Sequence, residues 1–515
     1  MTTTRARPAR RVALSAVIVM GGFMASKAIG VVRQSIIART FGASASLDAY
    51  YAAFRLPDLL LTLIAGGAIA TTFIPVFADH LTRGDTDRAW RLASAVLNLL
   101  LAAMGLVSLF AAVLAPWLVR HFVAPGFDPG LQHLTTELLR IVLVSALLFT
   151  ASSLVMSILQ AHQHFLFPAL ADFFYDVGII GGAVLLVPRL GIHGLALGVV
   201  GGALLHLLVQ VPGLMRYRPR YVPTFRTGDP DLLRLARLMG PRILILGMFQ
   251  LVFLVTTNLA SRLQEGSISA INMGWTVMQM PEVIFAMAIA TAAFPAMSAQ
   301  VAEEDRESLR NTVSNSLRAI LFLTLPSAVA LALLGRAYIA VLFRSGAFSE
   351  HAADMVYKAT LAFTVGLLGH SLLELAARVF YAHKNTVTPF WIALGATVSN
   401  IGLCLVLAPR LGQAGLALAN SVAVTVQSGI LLWLGWRKVG FPWRPIWLLG
   451  WRVAAASALM AASVWAITQW CKPLGSLRIA LVGSLTGSAV YLGMMGLISR
   501  QEIRTLVRAL LKPRA

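Results

Sequence analysis

Charge and cysteine are both scarce in this chain of 515 residues. Only 12% of the residues are charged, against roughly 25% in ordinary soluble domains. Cysteine occurs twice, at Cys404 and Cys471, and neither lies in a pattern of metal ligands or of a disulfide framework. Walker loops and nucleophile triads are also missing. We therefore expect no soluble domain, no bound metal or cofactor, and no enzymatic activity.

Hydrophobic residues make up 58% of the chain and form long runs separated by short polar gaps. Each run is long enough to cross a bilayer, which needs about 20 residues. The predicted fold class is an all-α integral membrane protein with about 14 transmembrane helices. The predicted spans have their cores at 12–38, 47–78, 90–119, 136–160, 165–187, 191–214, 236–261, 268–298, 314–342, 354–382, 388–408, 412–435, 449–470 and 479–499.

Basic residues predict the orientation of these spans. The formal charge of +21 could indicate a nucleic-acid-binding protein, but most of the basic residues lie in the gaps between spans. With the N-terminus in the cytoplasm, the cytoplasmic gaps hold about three times as many Lys and Arg residues as the opposite gaps. We therefore predict a multi-pass protein of the bacterial cytoplasmic membrane, with both termini cytoplasmic. Its partner is membrane lipid and not nucleic acid.

An internal repeat relates two parts of the chain at an offset of 221 residues. Residues 187–191 and 408–412 both contain Pro-Arg-Leu-Gly, and Gly-Leu-Ala-Leu follows in the same register at 194–197 and 415–418. Because the offset covers six predicted spans, the two copies share the same topology, as in carriers built from parallel repeats with a substrate site between the lobes. By analogy with other two-lobed carriers, this architecture predicts alternating access.

The repeat also predicts the domain organisation. The two six-helix lobes are residues 1–228 and 229–440. Residues 441–515 have no repeat partner and add two spans and a basic cytoplasmic tail.

Three basic residues lie deep in the first two predicted spans, namely Lys27, Arg33 and Arg55. A charge at such depth costs at least ~2.5 kcal/mol on insertion scales, so it needs water, an anion or a charged partner. Few acidic residues accompany them, which indicates a cavity for an anionic substrate. The alternative is a structural network of these cations with Asp48 and Asp58.

The remaining basic residues within spans have simpler interpretations. Arg378 follows Glu374 by one helical turn, which predicts a structural ion pair. Four others are expected to snorkel towards the membrane surface: Arg140, Arg318, Arg336 and Lys358.

Oxygen-bearing side chains offer two candidate sites for a coupling cation. Asp172 and Asp176 lie one turn apart in the fifth span and suit a cation or a proton, with neutralisation by nearby basic residues as the alternative. A second set could supply oxygens to Na⁺, with interhelical hydrogen bonding as the alternative. This second set comprises Asn258, Asn400, Asn420, Ser421 and Thr425. Na⁺, H⁺ and the membrane potential all remain open as driving forces.

Short motifs along the chain match one known family as a set. They include SKAIGVVR at 26–33, IARTFGA at 37–43, FRLP at 54–57, APGF at 124–127 and LPSA at 325–328. The sequence thereby resembles the MurJ (MviN-type) lipid II flippases over its whole length.

The resemblance implies a two-lobed carrier of the multidrug/oligosaccharidyl-lipid/polysaccharide (MOP) superfamily. Such a carrier moves an undecaprenyl-pyrophosphate-linked peptidoglycan precursor to the outer leaflet, and it serves cell wall biogenesis and cell shape, with cell-wall synthesis proteins as candidate partners. By the same resemblance Arg33 is a cavity cation and Asp48 a family acidic position. Lys27 stands where the family usually has Arg, and Arg55 where it often has Lys. Guanidinium groups suit this cargo because they bind pyrophosphate bidentately.

The eighth span departs from the family pattern. Trp275, Thr276 and Gln279 stand where the family has an Asp-Arg pair and a Glu, and Leu61 stands where it has a further Arg in the second span. Arg242 in the seventh span is a candidate substitute cation. Three alternatives to lipid II flipping are therefore a flippase for another polyprenyl-linked glycan, a drug antiporter of the same superfamily, and a non-transporting scaffold for cell-wall enzymes. The deep cations argue against the antiporter, whose cavity should be acidic or neutral.

Overall fold

The computed structural model describes residues 26–64, 68–224, 229–470 and 475–499, without the side chains of 68–71, 236, 238, 240–246 and 249. This part of the chain is almost entirely helical and contains no strand. Its helices are α1 (26–41), α2 (Ala45–Ala53), α3 (Arg55–Ile64), α4 (Ala68–Thr82), α5 (Thr86–Leu118), α6 (Pro129–Ala161), α7 (Leu166–Gly181), α8 (Val187–Leu190), α9 (Ile192–Leu208), α10 (Val211–Met215), α11 (Pro230–Ala260), α12 (Ser267–Pro281), α13 (Ala288–Ala302), α14 (Arg306–Phe343), α15 (Glu350–Val365), α16 (Leu367–Ala382), α17 (Val387–Val439), α18 (Trp443–Trp470) and α19 (Ser476–Ile498). Wider π-type turns extend α5 (Val119–Val123), join α7 to α8 (Gly182–Leu186) and join α12 to α13 (Glu282–Met287).

The helices have the lengths and compositions that a bilayer requires. Within the described residues, nine continuous helical segments are long and apolar enough to cross it, and α15 with α16 forms a tenth candidate that is bent by 45°. This confirms an all-α membrane protein. The number of fourteen spans stays a prediction, since parts of the first and second predicted spans and several side chains of the seventh lie outside the described residues.

Helix α17 contains two predicted spans. Its 53 residues would measure roughly 80 Å at 1.5 Å per residue, far more than the roughly 30 Å hydrocarbon core of a bilayer. The helix is broken at Gly412, whose φ of 59° and ψ of −138° are not helical. The break falls where the sequence predicts the end of one span (388–408) and the start of the next (412–435).

The same break occurs one repeat earlier, at Gly191, with φ of 55° and ψ of −138°. A positive φ is accessible to glycine at little cost, which explains why both copies have this residue. The turns that precede the two copies also match, because Gln163 and Lys384 share a φ of 58°. The repeat predicted from the sequence is therefore confirmed in the backbone, in the same register.

Close helix packing accounts for a second pair of repeated glycines. A Cβ atom on Gly194 would lie 2.6 Å from the carbonyl carbon of Leu186, and one on Gly415 would lie 2.7 Å from that of Leu407. Leu186 and Leu407 are themselves repeat partners. Small residues allow two helix backbones to approach this closely.

The chain divides into two compact units between Glu265 and Gly266. In the first unit α6 packs against α2, α3, α4, α5 and α9, while α7 packs against α9 and α11 against α3 and α4. In the second unit α14 packs against α13, α15, α16, α18 and α19, and α15 and α16 pack against α17. By packing, α11 thus belongs with the first unit. The predicted lobes, residues 1–228 and 229–440, were defined by the duplicated sequence and not by packing. They stay a prediction.

A candidate anion-binding site in the first unit

Arg33 on α1 is held by a carboxylate from α7. Its Nη1 donates a hydrogen bond of 2.5 Å to Asp176 Oδ1. The Arg33 side chain is 28% exposed, whereas that of Asp176 is 9% exposed. Gly30, one turn before Arg33, makes room for the carboxylate, since a Cβ atom there would lie 3.2 Å from Asp176 Oδ2. Two roles were predicted for Asp176, a cation or proton site and neutralisation by a basic residue. The ion pair with Arg33 agrees with the second.

A hydrogen bond joins α1 to α2, whose aromatic side chains pack against each other. Gln34, the residue after Arg33, is buried and its Nε2 donates to the Tyr51 hydroxyl at 2.6 Å. Tyr50 packs edge-on against Tyr51 and Phe54, with ring centroids 5.6 and 4.8 Å apart. These contacts order the surroundings of the Arg33 guanidinium, so that little reorganisation is needed when an anion arrives.

Arg55 opens α3 and is tied to α11. Its Nε donates to Thr257 Oγ1 at 2.8 Å, and its guanidinium carbon lies 5.5 Å from the ring centroid of Phe253. Contact with an aromatic face suits a planar guanidinium and fixes its orientation. The side chain that the sequence places deep in the second span is therefore positioned by a hydroxyl and a ring.

The other predicted site residues have distinct environments. Lys27 lies on the exposed side of α1, close enough to Asp176 to interact with it electrostatically. Asp48 is buried in α2. The side chain of Arg242 lies outside the described residues, so its predicted role as a substitute cation stays a prediction.

The fold therefore brings several predicted cations into one unit. Lys27 and Arg33 lie on the same helix and interact with the same carboxylate, and Arg55 belongs to the same unit. A guanidinium has five N–H donors, so Arg33 retains donors beyond the one that Asp176 engages. Partial exposure and spare donors allow Arg33 to bind an oxyanion such as phosphate.

A second polar network joins α7, α9 and α6. His206 is 5% exposed and its Nε2 lies 3.4 Å from Oδ1 of Asp172, which is 67% exposed. The other ring nitrogen, Nδ1, lies 2.6 Å from Ser152 Oγ. Gln210 Nε2 donates to the same hydroxyl at 2.7 Å. Sequence reasoning missed His206, although a histidine inside an otherwise apolar span was the available signal.

Two of the proposed Na⁺ ligands donate to or accept from nearby protein groups. Asn258 lies on α11 in the first unit, where its Nδ2 donates to the Phe122 carbonyl at 2.7 Å. Asn400 lies on α17, where its Oδ1 accepts from Cys404 Sγ at 3.1 Å. The Asn258 bond joins two helical segments, as the interhelical alternative predicts, whereas the Asn400 bond lies within α17.

The other three proposed ligands lie on the second half of α17, where Ser421 Oγ donates to the Ala362 carbonyl at 2.7 Å. Asn420 Oδ1 lies 3.0 Å from His370 Nε2, and Thr425 Oγ1 donates to the Ser421 carbonyl at 2.7 Å. Within the described residues no three His, Cys, Asp or Glu side chains are grouped to hold a metal ion. A Na⁺ role for these five residues stays a prediction.

The positions that depart from the family pattern are filled by packing. The Trp275 ring meets Phe363 and His370 edge-on, each at a centroid distance of 5.2 Å. Thr276 Oγ1 donates to the Asn272 carbonyl of its own helix at 2.9 Å. An aromatic contact and an intrahelical bond thus stand in the second unit where a charge pair was expected.

The basic residue of α16 forms the ion pair predicted from the sequence. Arg378 Nη1 donates to the Glu374 carboxylate, and its Nη2 donates to Thr291 Oγ1 at 3.2 Å. The second unit therefore neutralises Arg378 with a neighbour on its own helix.

Glu282, at the π-type turn after α12, has a buried Oε2 with no hydrogen-bond partner among the described residues.

Two of the snorkelling candidates have exposed side chains. Arg140 is exposed and its Nε donates to the Ala112 carbonyl at 3.0 Å. Lys358 is exposed and pairs with Asp354 at 2.8 Å. Both differ from Arg33, which is only 28% exposed and pairs with a carboxylate on another helix.

The apolar helices define the class, which is a multi-pass helical membrane protein, and its fold is shared with transporters of known structure. The chain aligns with a solved structure described as lipid II flippase MurJ in an inward closed conformation, with a TM-score of 0.83 and 24% identity over 95% of this chain and 100% of that one. An inward-facing MATE family transporter of the MOP superfamily aligns with a TM-score of 0.71 and 16% identity over 82% of this chain and 98% of that one.

Sequence comparison identifies the family. The model of the lipid II flippase MurJ family matches residues 37–485. The chain is 30% identical to lipid II flippase MurJ of Burkholderia cenocepacia, over 93% of this chain and 96% of that protein. It is also 30% identical to a probable lipid II flippase MurJ of Thermotoga maritima, over 95% and 97% of the two chains. The chain therefore belongs to the lipid II flippase MurJ family.

Proposed function

We propose that this chain moves lipid II, the undecaprenyl-pyrophosphate-linked peptidoglycan precursor, from the cytoplasmic to the outer leaflet of the cytoplasmic membrane. Family membership supports the cargo. The observation that carries the proposal is the partly exposed guanidinium of Arg33 within a membrane-embedded helix unit. A cation in that position is stable only with an anion or water beside it.

The pyrophosphate is the part of lipid II that these cations recognise. Arg33 binds phosphate oxygens through its spare N–H groups, and Lys27 adds positive charge nearby. Arg55, held by Thr257 and Phe253, presents a second guanidinium of fixed orientation. No bond is made or broken, so the protein acts by binding the head group and alternating its access to the two leaflets.

The placement in the membrane follows from charge. The family and its apolar helices establish a multi-pass membrane protein. We place both termini in the cytoplasm, because that orientation puts the excess of Lys and Arg inside. The proposal also includes coupling to Na⁺ or H⁺ and contacts with cell-wall synthesis proteins. Both follow from the proposed role in lipid II transport.

The test is complementation of a strain whose own lipid II flippase can be depleted. Wild-type chain should restore growth and cell shape, and Arg33→Ala should not, at equal levels in the membrane. Failure of the wild type to rescue, despite normal insertion, would favour another polyprenyl-linked glycan as cargo. Equal rescue by Arg33→Ala would show that transport does not need the Arg33 guanidinium and would contradict its proposed role.

A further inference from the structure

The counter-ion of Arg33 is the feature that the proposed transport mechanism does not use. A pyrophosphate that binds Arg33 meets a guanidinium already paired with Asp176 at 2.5 Å. Binding places a second anion on the same cation. Two anionic groups around one guanidinium repel each other strongly where water is largely excluded.

Asp176 has no favourable alternative position for its charge. Its side chain is only 9% exposed, so water cannot solvate the carboxylate if it separates from Arg33. The next acidic residue, Asp172, lies one turn away on the same helix face, so displacement in that direction brings two carboxylates together. A buried carboxylate without a cation is stabilised by gaining a proton.

The neighbouring network offers a place for that proton. Asp172 is 67% exposed, and it lies 3.4 Å from Nε2 of the buried His206. Ser152, which also accepts from Gln210, holds the other ring nitrogen at 2.6 Å. The imidazole is therefore fixed in an orientation that faces Asp172.

Among the described residues, the cations that act on Asp176 are Lys27 and Arg33 of α1. The charged residues of α6, Glu137 and Arg140, have other partners, namely His193 and the Ala112 carbonyl. The titratable and charged groups around the network are Lys27 and Arg33 of α1, Tyr50 and Tyr51 of α2, Asp58 of α3, Asp172, Tyr175 and Asp176 of α7, and His206 of α9.

We propose that Asp176 is an internal counter-ion that the anionic head group displaces from Arg33, and that the displacement is accompanied by uptake of a proton from water by the group formed of Asp172, Asp176 and His206. This inference rests on the proposed function, because it takes a polyprenyl pyrophosphate as the displacing anion. It assigns H⁺, rather than Na⁺, to the substrate-binding step. The competing explanation is that the Arg33–Asp176 pair only attaches α1 to α7.

The experiment counts protons during binding. Full-length protein in lipid nanodiscs is titrated calorimetrically with lipid II carrying a shortened polyprenyl chain, in two buffers of equal pH and different ionisation enthalpy. We expect the wild type to take up as much as about one proton per molecule bound, as linkage requires when binding changes proton affinity. Binding without proton exchange would overturn this inference and leave the proposed function intact, whereas absence of binding would overturn the proposed function as well.

Variants identify the group that takes up the proton. Asp176→Asn should abolish the uptake and strengthen binding by between about 5- and 150-fold, the usual range for coupling between two sites. His206→Gln should reduce the uptake while binding persists. Asp354→Asn is the matched control, because it removes one carboxylate from an ion pair in the second unit, and neither quantity should change. Weaker binding by a folded Asp176→Asn protein would show a structural role and overturn the inference, and the wild-type proton count decides the question if that variant does not fold.

Discussion

The two units of this chain share a repeat but differ in what they do with charge. In the first unit Arg33 and Arg55 are held by partners on other helices, and Arg33 keeps donors available. In the second unit Arg378 is neutralised on its own helix, and Trp275 fills a family charge position by packing. Duplication has thus preserved the backbone while the polar chemistry diverged.

Close packing explains which features persisted. Gly194 and Gly415 each face a backbone carbonyl at a distance that no larger residue tolerates. Charged side chains face no such constraint, because an aromatic contact or a hydrogen bond within the helix can replace them. The comparison therefore predicts that substitutions at the repeated glycines destabilise both units equally. Substitutions of charged residues should affect transport differently in the two units.

The largest effect should follow from removing the first-unit cation. Arg33→Ala should reduce lipid II transport by at least about tenfold, since hydrogen bonds to charged groups are worth about 1.5–3 kcal/mol each. The readout is outer-leaflet lipid II in cells that depend on this chain. Arg140→Ala is the control, because that side chain contacts only a carbonyl among the hydrogen bonds described for it. Equal losses in both variants would remove the distinction between a cavity cation and a snorkelling one.

Stability should respond equally at the repeated glycines. Gly194→Ala and Gly415→Ala should each destabilise the protein by about 1–3 kcal/mol, the usual cost of overpacking. Thermal unfolding in detergent measures the change. Gly402→Ala, with open space around its Cβ position, should not destabilise. A loss at only one of the two repeated positions would contradict the shared packing.

A moderate effect should follow from releasing Arg55. Thr257→Val removes the hydroxyl that accepts from Arg55 Nε, and binding of lipid II should weaken by about three- to tenfold, as expected for one hydrogen bond of about 1 kcal/mol. Thr276→Val makes the same chemical change in the second unit, where the hydroxyl only bonds its own helix. That variant should bind like the wild type, and comparable losses in the two would indicate general destabilisation.

The smallest effect should come from restoring a family cation to the second unit. Thr276→Arg should change transport by less than about threefold, because the first unit already supplies the guanidinium groups for the pyrophosphate. Transport is measured in the same dependent cells. An increase of an order of magnitude would mean that the cavity lacks a cation it needs.

The sequence predicted much of this arrangement because some signals are local. The span boundary at Gly412 and the Glu374–Arg378 pair each depend on residues close together in the chain, and the repeat is visible directly as identical short motifs. The Arg33–Asp176 pair was not predicted, because its members are 143 positions apart and only tertiary packing brings them together. The predicted depth of Arg33 in the membrane indicated that its charge needs an anion. It could not indicate whether that anion is the substrate or a carboxylate of the protein.

The central claim is that the first-unit cations recognise a pyrophosphate. The most direct measurement compares the affinity of purified wild-type and Arg33→Ala protein for lipid II and for the same glycan on a polyprenyl monophosphate. The wild type should prefer lipid II, and Arg33→Ala should lose most of that preference. A preference that persists unchanged in Arg33→Ala would contradict the account.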